Sequence, residues 1–197
     1  IAVALAVGAG GWRLGLFAFL SLLFMLLGNV WTAAMYSIYL MIASVVTAFL
    51  LGAAIGIWAS NNDRVSSIVA PINDTLQTMP QFVYLIPIVM LFKIGDFSAM
   101  LAIISYAIVP AIRYTNHGIR QVPQHLIEAG RVSGCTRWQL FRHVQLPVAL
   151  PEIMLGINQT IMMALAMVAI TALIGSRDLG QEIYKALPGA DTGRGLL

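Results

Sequence analysis

The sequence predicts an all-α fold, a polytopic bundle of transmembrane helices, and composition is the first reason. Of the 197 residues, 59% are hydrophobic and only 10% are charged, and the mean hydropathy is +0.86. A soluble domain would carry about 25% charged residues. The charged residues also cluster between long apolar runs, which is the pattern of helices that cross a bilayer.

Six apolar runs are the predicted spanning segments, because a helix needs about 17–25 apolar residues to cross the hydrocarbon core. They are a partial run at 1–9 and the runs 14–30, 34–59, 82–92, 97–112 and 148–174. The short run 82–92 contains Pro87, and a broken backbone inside a membrane must be covered by neighbouring helices. We therefore expect this run to pack inside the bundle rather than against lipid.

The ends of the sequence and its polar connections complete a single predicted domain. The chain begins within an apolar run and without Met, so we expect a trimmed start. Polar connections lie at 60–81 and 113–147, and a polar tail lies at 175–197. We expect one further spanning helix beyond this tail.

The distribution of Lys and Arg predicts the orientation, because cytoplasmic loops carry an excess of basic residues. Alternating the runs places seven of the eleven basic residues on one side and four on the other. The connection 113–147, here called the basic loop, holds five of the eleven and one acid, Glu128. We therefore place the basic loop in the cytoplasm and the tail outside it. The net charge of +3 then reflects topology and does not indicate nucleic-acid binding.

Several chemistries are missing from the sequence. It has no Gly-x4-Gly-Lys-Ser/Thr pattern, so the chain has no P-loop for ATP. No ionisable residue lies near the middle of a predicted spanning run, where ion-coupled carriers place theirs. The three histidines lack metal-ligand spacing, and no nucleophile with a base lies inside the bundle. We predict no catalytic residue, no metal and no cofactor in this chain.

Local signals divide the basic loop into two short helices. Pro123 suits the first turn of a helix, and Gly134 suits its C-terminal stop. Thr136 followed by Gln139 is a capping box that starts a second helix. We expect Pro147 to end this second helix before the chain enters the membrane.

An apolar group, Trp138, Leu140 and Phe141, belongs to the second helix. Aromatic residues of this kind anchor loops at the lipid interface. They also fill grooves of partner proteins. The residues alone leave both interpretations open.

The basic loop contains a spaced pattern of acidic, small and apolar residues. Residues 128–130 read Glu-Ala-Gly, Gly134 follows after three residues, and residues 144–147 read Val-Gln-Leu-Pro after nine more. This pattern resembles the EAA motif in the permease subunits of binding-protein-dependent ABC importers. That motif reads Glu-Ala-Ala, three residues, Gly, nine residues, Ile-x-Leu-Pro. Gly130 therefore replaces its second Ala, and Val144 replaces its Ile.

Four further segments carry a second likeness, and they lie at 77–92, 118–123, 156–160 and 179–181. They are similar to the glycine betaine/choline-type permeases of the same family, and the likeness covers residues 31–197. The resemblance implies the type I ABC importer permease fold. It also implies import of a quaternary ammonium or related compatible solute, such as a betaine, choline, carnitine or trimethylamine N-oxide. The alternative is a channel or an ion-coupled carrier for a small polar solute.

The resemblance also implies partners in the inner membrane and on both of its sides. These are ABC ATPase subunits that bind ATP and Mg, an extracytoplasmic substrate-binding protein, and a second permease copy in a homodimer. The basic loop would dock on the ATPase and couple ATP hydrolysis to transport. The residues implied in this coupling are Glu128, Ala129, Gly130, Arg131, Gly134, Arg137, Val144, Leu146 and Pro147.

A translocation path needs polar and adaptable side chains that face the pore. The candidates are Tyr84, Asn158, Gln159, Met162 and Thr171. Asn158 and Met162 are four residues apart and share one helix face. The polar pair at 158–159 can instead form hydrogen bonds between helices, and Met162 and Tyr84 can be ordinary packing residues. Both interpretations stay open from the sequence.

Overall fold

The computed structural model describes residues 2–186, and this part of the chain is almost entirely helical, which confirms the all-α prediction. A π-helical turn and a 3-10 turn, Phe141–Gln145 and Ala172–Ile174, flank α8. The α-helices are α1 (Ala2–Leu27), α2 (Trp31–Asn61), α3 (Asp63–Thr78), α4 (Gln81–Phe92), α5 (Asp96–Arg120), α6 (Gln124–Val132), α7 (Arg137–Leu140), α8 (Leu146–Thr171) and α9 (Leu179–Ala186).

Helices α2, α5 and α8 form the core, because small residues let their backbones approach closely. A Cβ placed on Gly52 would lie 2.6 Å from the Cβ of Ala111, and one on Gly56 would lie 2.8 Å from the Cβ of Thr115. Glycines in α5 and α8 allow the same close contact between those two helices. The side chains buried around these contacts include Leu40, Ala48, Ile103, Ala107, Ala164 and Met167.

Helices α3 and α4 form an elbow beside this core. Asn62 caps α3 by accepting hydrogen bonds from two amides of its first turn, at 3.0 and 3.4 Å. Helix α3 ends because Met79 is extended, with ψ of 133°, as is usual for the residue before a proline. The axes of the two helices then meet at 100°. Most of the polar connection 60–81 is therefore a helix that the apolar pattern did not reveal.

The prediction that the run 82–92 packs inside the bundle is wrong for the chain by itself. In α4 only Tyr84 and Leu85 are buried, whereas Ile86 and Met90 are 63% and 81% exposed. The reason is that α4 packs on α5 along one face. Its opposite face is apolar as well, so it suits lipid or another subunit.

Two predicted boundaries also differ from the structure. Helix α1 runs through residues 10–13, where the sequence predicts a gap between two runs, although Gly11 there has a positive φ of 77°. Helix α5 continues to Arg120, so the first eight residues of the basic loop are helical. An apolar run marks only the part of a helix that is out of water, and polar residues extend it further.

Pro147 does not end the second helix of the basic loop, which corrects another prediction. Instead, Arg137–Ile174 is one continuous helical rod of 38 residues, here called the α7–α8 rod. In its π-helical turn the amide of Leu146 donates to the carbonyl of Phe141. This wider turn accommodates the proline, which has no amide and would clash with the carbonyl four residues before it.

Among the described residues, three helices are long and apolar enough to cross a membrane. They are α2, α5 and the α7–α8 rod, and the α3–α4 elbow adds a fourth if it counts as one bent crossing. The apolar part of α1, Gly11–Leu27, is shorter. In the predicted polar tail, α9 is helical, and residues 187–197 lie outside the described residues.

Candidate coupling surface and solute path

The first part of the basic loop folds as the local signals predict. Pro123 immediately precedes α6, and Gly134 after its end has a φ of 80°, which favours glycine. The Thr136–Gln139 capping box is confirmed. The Thr136 amide donates to Oε1 of Gln139 at 2.8 Å, and the Gln139 amide donates to Oγ1 of Thr136 at 3.4 Å. The loop is therefore a helix, a left-handed turn and the start of the α7–α8 rod.

Gly130 holds α6 close to the α7–α8 rod. It is buried, and a Cβ placed on it would lie 2.6 Å from Cδ1 of Leu140 and 3.5 Å from Cγ2 of Val144. Gly130 therefore faces the chain's own rod, and a larger side chain at this position of the motif has to displace Leu140. Glu128 and Ala129, which precede it, are exposed on the outer side of α6.

The other predicted coupling residues fall into an outer and an inner group. Arg131, Gly134, Arg137 and Pro147 are exposed. Nothing in the described part of the chain lies within 4 Å of a Cβ built on Gly134. Leu146 is half-buried, and it packs on the side of a small core cluster formed by Ile119, Val122, Ala149 and Ile153.

The apolar group of the rod's first turns presents Trp138 outward. Its ring is 65% exposed and stacks on Phe141 with a centroid distance of 5.8 Å and an interplanar angle of 29°. Leu140 is buried, so it belongs to the contact with α6 and not to an outer surface. The three residues that the sequence grouped together therefore have different surroundings.

The structure does not bring the five candidate path residues together. Asn158, Gln159 and Met162 are exposed along α8. Tyr84 is buried in α4, where its ring meets Tyr106 edge-on at 5.6 Å. Thr171 is fully buried and donates hydrogen bonds within the core.

A polar cavity of about 490 Å³ lies between α3, α5 and α8, and the sequence did not predict it. Its lining includes Asn73 and Asp74 of α3, Arg113 of α5 and Glu152 of α8. Arg113 forms an ion pair with Asp74. The available signal was an Asn-Asp pair and an arginine at the end of an apolar run. Nothing local shows that these residues meet, because 39 positions separate the two charges.

Among the described residues there is no group of three or more His, Cys, Asp and Glu side chains that could hold a metal ion. The arrangement instead offers two features for transport. One is the outer side of α6, with the exposed turn that follows it. The other is the set of polar side chains along α8 and in the cavity. Neither feature holds a group placed for covalent chemistry.

Comparison with known proteins gives relatives over most of the chain. Residues 48–195 match the family described as binding-protein-dependent transport system inner membrane component. The glycine betaine transport system permease protein OpuAB of Bacillus subtilis is 45% identical over 84% of this chain and 59% of its own length. The trimethylamine N-oxide transport system permease protein TmoV of Ruegeria pomeroyi is 43% identical over 83% of this chain and 25% of its own. The glycine betaine/carnitine transport permease protein GbuB of Listeria monocytogenes is 41% identical over 94% of this chain and 66% of its own. The chain thus spans between a quarter and two thirds of the length of these three relatives.

A solved structure shares the fold. The inward-facing MetNI methionine ABC transporter superposes with a TM-score of 0.72 at 22% identity, over 82% of this chain and 81% of the matched chain. The helical bundle described above is therefore the fold of type I ABC importer permeases, as the resemblance of the basic loop implied.

Proposed function

The chain belongs to the family of binding-protein-dependent transport system inner membrane components, and we propose that it is the permease subunit of an ATP-driven importer. Its solute is a quaternary ammonium or related compatible solute: a betaine, choline, carnitine or trimethylamine N-oxide. The names of its relatives support this class, because glycine betaine, carnitine and trimethylamine N-oxide appear in them. The partners are ABC ATPase subunits that bind ATP and Mg, an extracytoplasmic binding protein and a second copy of the permease.

The observation that carries this proposal is that α6 is held at an end of the α7–α8 rod that stands out of the membrane. The α7–α8 rod has 38 residues, which at a rise of 1.5 Å per residue makes about 57 Å. The hydrocarbon core is only about 30 Å thick. One end of the rod must therefore stand out of the membrane, and the basic residues around α6 favour its cytoplasmic side. Gly130 and Leu140 fix α6 to that end.

The docking surface is the outer side of α6 and the turn after it. Glu128, Ala129 and Arg131 are exposed there, and Gly134 and Arg137 follow in the turn and at the start of the rod. Val144, Leu146 and Pro147 contribute by holding the rod that carries this surface. ATP binding closes the two ATPases, moves the two α6 helices together and rocks the bundle, a rigid-body change of packed helices.

The solute path uses the exposed polar side chains of α8. Asn158, Gln159 and Met162 lie on parts of α8 that other helices of the chain leave open, so a second permease copy would close the path over them. Tyr84 and Thr171 are buried and do not line the path. They support it indirectly, by fixing the α3–α4 elbow and the end of α8.

The test is reconstitution of the full-length permease in proteoliposomes with its ATPase and binding protein. We expect uptake of radiolabelled glycine betaine that requires ATP and both partners. Uptake by the permease alone would instead support a channel or an ion-coupled carrier. Binding-protein-stimulated ATP hydrolysis without uptake of any of the four solutes would reject this solute class.

A further inference from the structure

The polar cavity between α3, α5 and α8 has the charge pattern of a binding site for a dipolar solute. We infer that a zwitterion occupies it, with its carboxylate on Arg113 and its trimethylammonium group facing Asp74 and Glu152. This inference rests on the proposed function, because it names the class of solute and a point on its route. The cavity of about 490 Å³ is within the range of small-molecule sites, which is about 300–1,000 Å³.

The ion pair between Arg113 and Asp74 is exchangeable. The two side chains are 45% and 60% exposed, and an ion pair so open to solvent contributes little to stability. A ligand that offers a carboxylate to Arg113 and a cation to Asp74 replaces the pair without leaving either charge alone. A simple cation or a simple anion pairs with one of these two side chains and leaves the other without a counter-charge.

A second carboxylate on the cavity wall favours the positive end of a solute. Glu152 is partly buried against Gly118, and it has no hydrogen bond or ion pair in the described part of the chain. Two arginines line the cavity, and Arg120 already donates to the carbonyl of Ala59 and to Asp63. Arg113 and Glu152 therefore remain for a solute with a compact anionic group and a diffuse cationic one.

The position of the cavity suits a step near the exit. Arg113 and Arg120 are seven residues apart on α5, so Arg113 lies about 10 Å further into the bundle. Arg120 donates hydrogen bonds to the carbonyl of Ala59 at 2.9 Å and to Oδ1 of Asp63 at 2.8 Å. These two acceptors lie where α2 ends and α3 begins. The cavity therefore lies at the end of the bundle that carries the basic loop.

The cavity walls also move with the coupling helix. Helix α6 joins directly onto α5 through the short segment that ends at Pro123, and it packs on the α7–α8 rod through Gly130. A displacement of α6 thus acts on two of the three walls. Docking movements can in this way change how Arg113 and Glu152 face each other, and so change the affinity for a bound zwitterion.

The experiment is equilibrium dialysis of radiolabelled glycine betaine and choline against the full-length permease assembled with its ATPase, without binding protein. Choline carries the same trimethylammonium group but no carboxylate. We expect the wild type to bind glycine betaine about tenfold more tightly than choline, the difference that one charge-assisted contact makes. Arg113→Gln should lose most of that preference and bind choline as well as the wild type or better. Glu152→Gln should weaken both ligands alike.

The matched control is Arg64→Gln, which removes an exposed arginine of α3 that does not line the cavity. It should leave both affinities unchanged. Equal loss of binding in Arg64→Gln and Arg113→Gln would show that the effect is not specific to the cavity, and it would overturn the site. Absence of binding in a wild-type complex that still imports glycine betaine would also overturn it, with the proposed function intact. If that complex imports none of the four solutes, the proposed function itself has failed.

Discussion

Gly130 of α6 lies directly against Leu140 at the start of the α7–α8 rod, where an added Cβ would come within 2.6 Å of Leu140 Cδ1. The contact joins the exposed helix α6 to the α7–α8 rod. Any force on the outer side of α6 therefore reaches the rod through this close contact between Gly130 and Leu140. The close approach is as important to the proposed coupling as the exposed residues 128–129.

The first prediction concerns the size of residue 130. The atom nearest to an added Cβ is the end of a flexible leucine, so Gly130→Ala should be absorbed by rotation of Leu140. We expect Gly130→Ala to keep uptake within about twofold of the wild type, and Gly130→Leu to separate α6 from the rod and cost about 1–3 kcal/mol by overpacking. ATP-driven uptake and thermal unfolding of the purified protein measure the two effects. Full uptake by Gly130→Leu would contradict a rigid link at this contact.

The second prediction separates docking from folding at Gly134. No atom of the described chain lies within 4 Å of a Cβ at this position, but its φ of 80° costs a non-glycine residue about 1–2 kcal/mol. Gly134→Ala and Gly134→Trp therefore carry the same backbone cost and differ in bulk towards a partner. We expect both to insert into the membrane, and only Gly134→Trp to abolish stimulation of the ATPase by the binding protein. Full transport by Gly134→Trp would rule out docking at this turn.

Features that depend on neighbouring residues could be predicted from the sequence, whereas features that depend on residues far apart in the chain could not. The Thr136–Gln139 capping box involves a span of four residues and was predicted correctly. The predicted end of the second helix at Pro147 was wrong, because the rule that proline ends a helix does not consider a π-helical turn that accommodates the ring. The meeting of Asp74 and Arg113 could not be predicted, since it depends on the register of two helices far apart in the chain. Similarly, a motif can place Gly130 in a helix but cannot state which side of the helix it faces.

A third prediction tests the packing of α2 on α5. A Cβ at Gly56 would lie 2.8 Å from the Cβ of Thr115 and 2.9 Å from the backbone oxygen of Ile112, and a backbone oxygen in a helix cannot move aside. Gly56→Leu should therefore lower the melting temperature markedly, with a loss of about 3 kcal/mol or failure to accumulate in the membrane. Gly8→Leu in α1 is the matched control, because no atom of the described residues lies within 4 Å of a Cβ there. Similar melting temperatures for the two variants would mean that α2 and α5 do not pack in this register.

The last prediction concerns Asp178, which is fully buried where α8 gives way to α9. Its Oδ2 accepts hydrogen bonds from Ser176 Oγ at 2.6 Å and from Thr171 Oγ1 at 3.3 Å, and its Oδ1 accepts one from the Gln181 amide at 3.1 Å. The carboxylate therefore caps α9 and ties it to the end of the rod. Because α9 has only eight residues, it depends on such contacts more than on its own helix propensity.

Asp178→Ala should destabilise the protein by about 2 kcal/mol, since it removes the cap and leaves the buried Ser176 hydroxyl without its acceptor. Asp178→Asn keeps an oxygen for the Gln181 amide and should cost about half as much. Arg177→Ala changes the exposed neighbour and should melt like the wild type. Thermal unfolding of the three purified variants in detergent measures this order. If Asp178→Ala and Arg177→Ala melted together, α9 would have to be held by other contacts, such as the bond from the Leu179 amide to Ser37 Oγ at 2.9 Å.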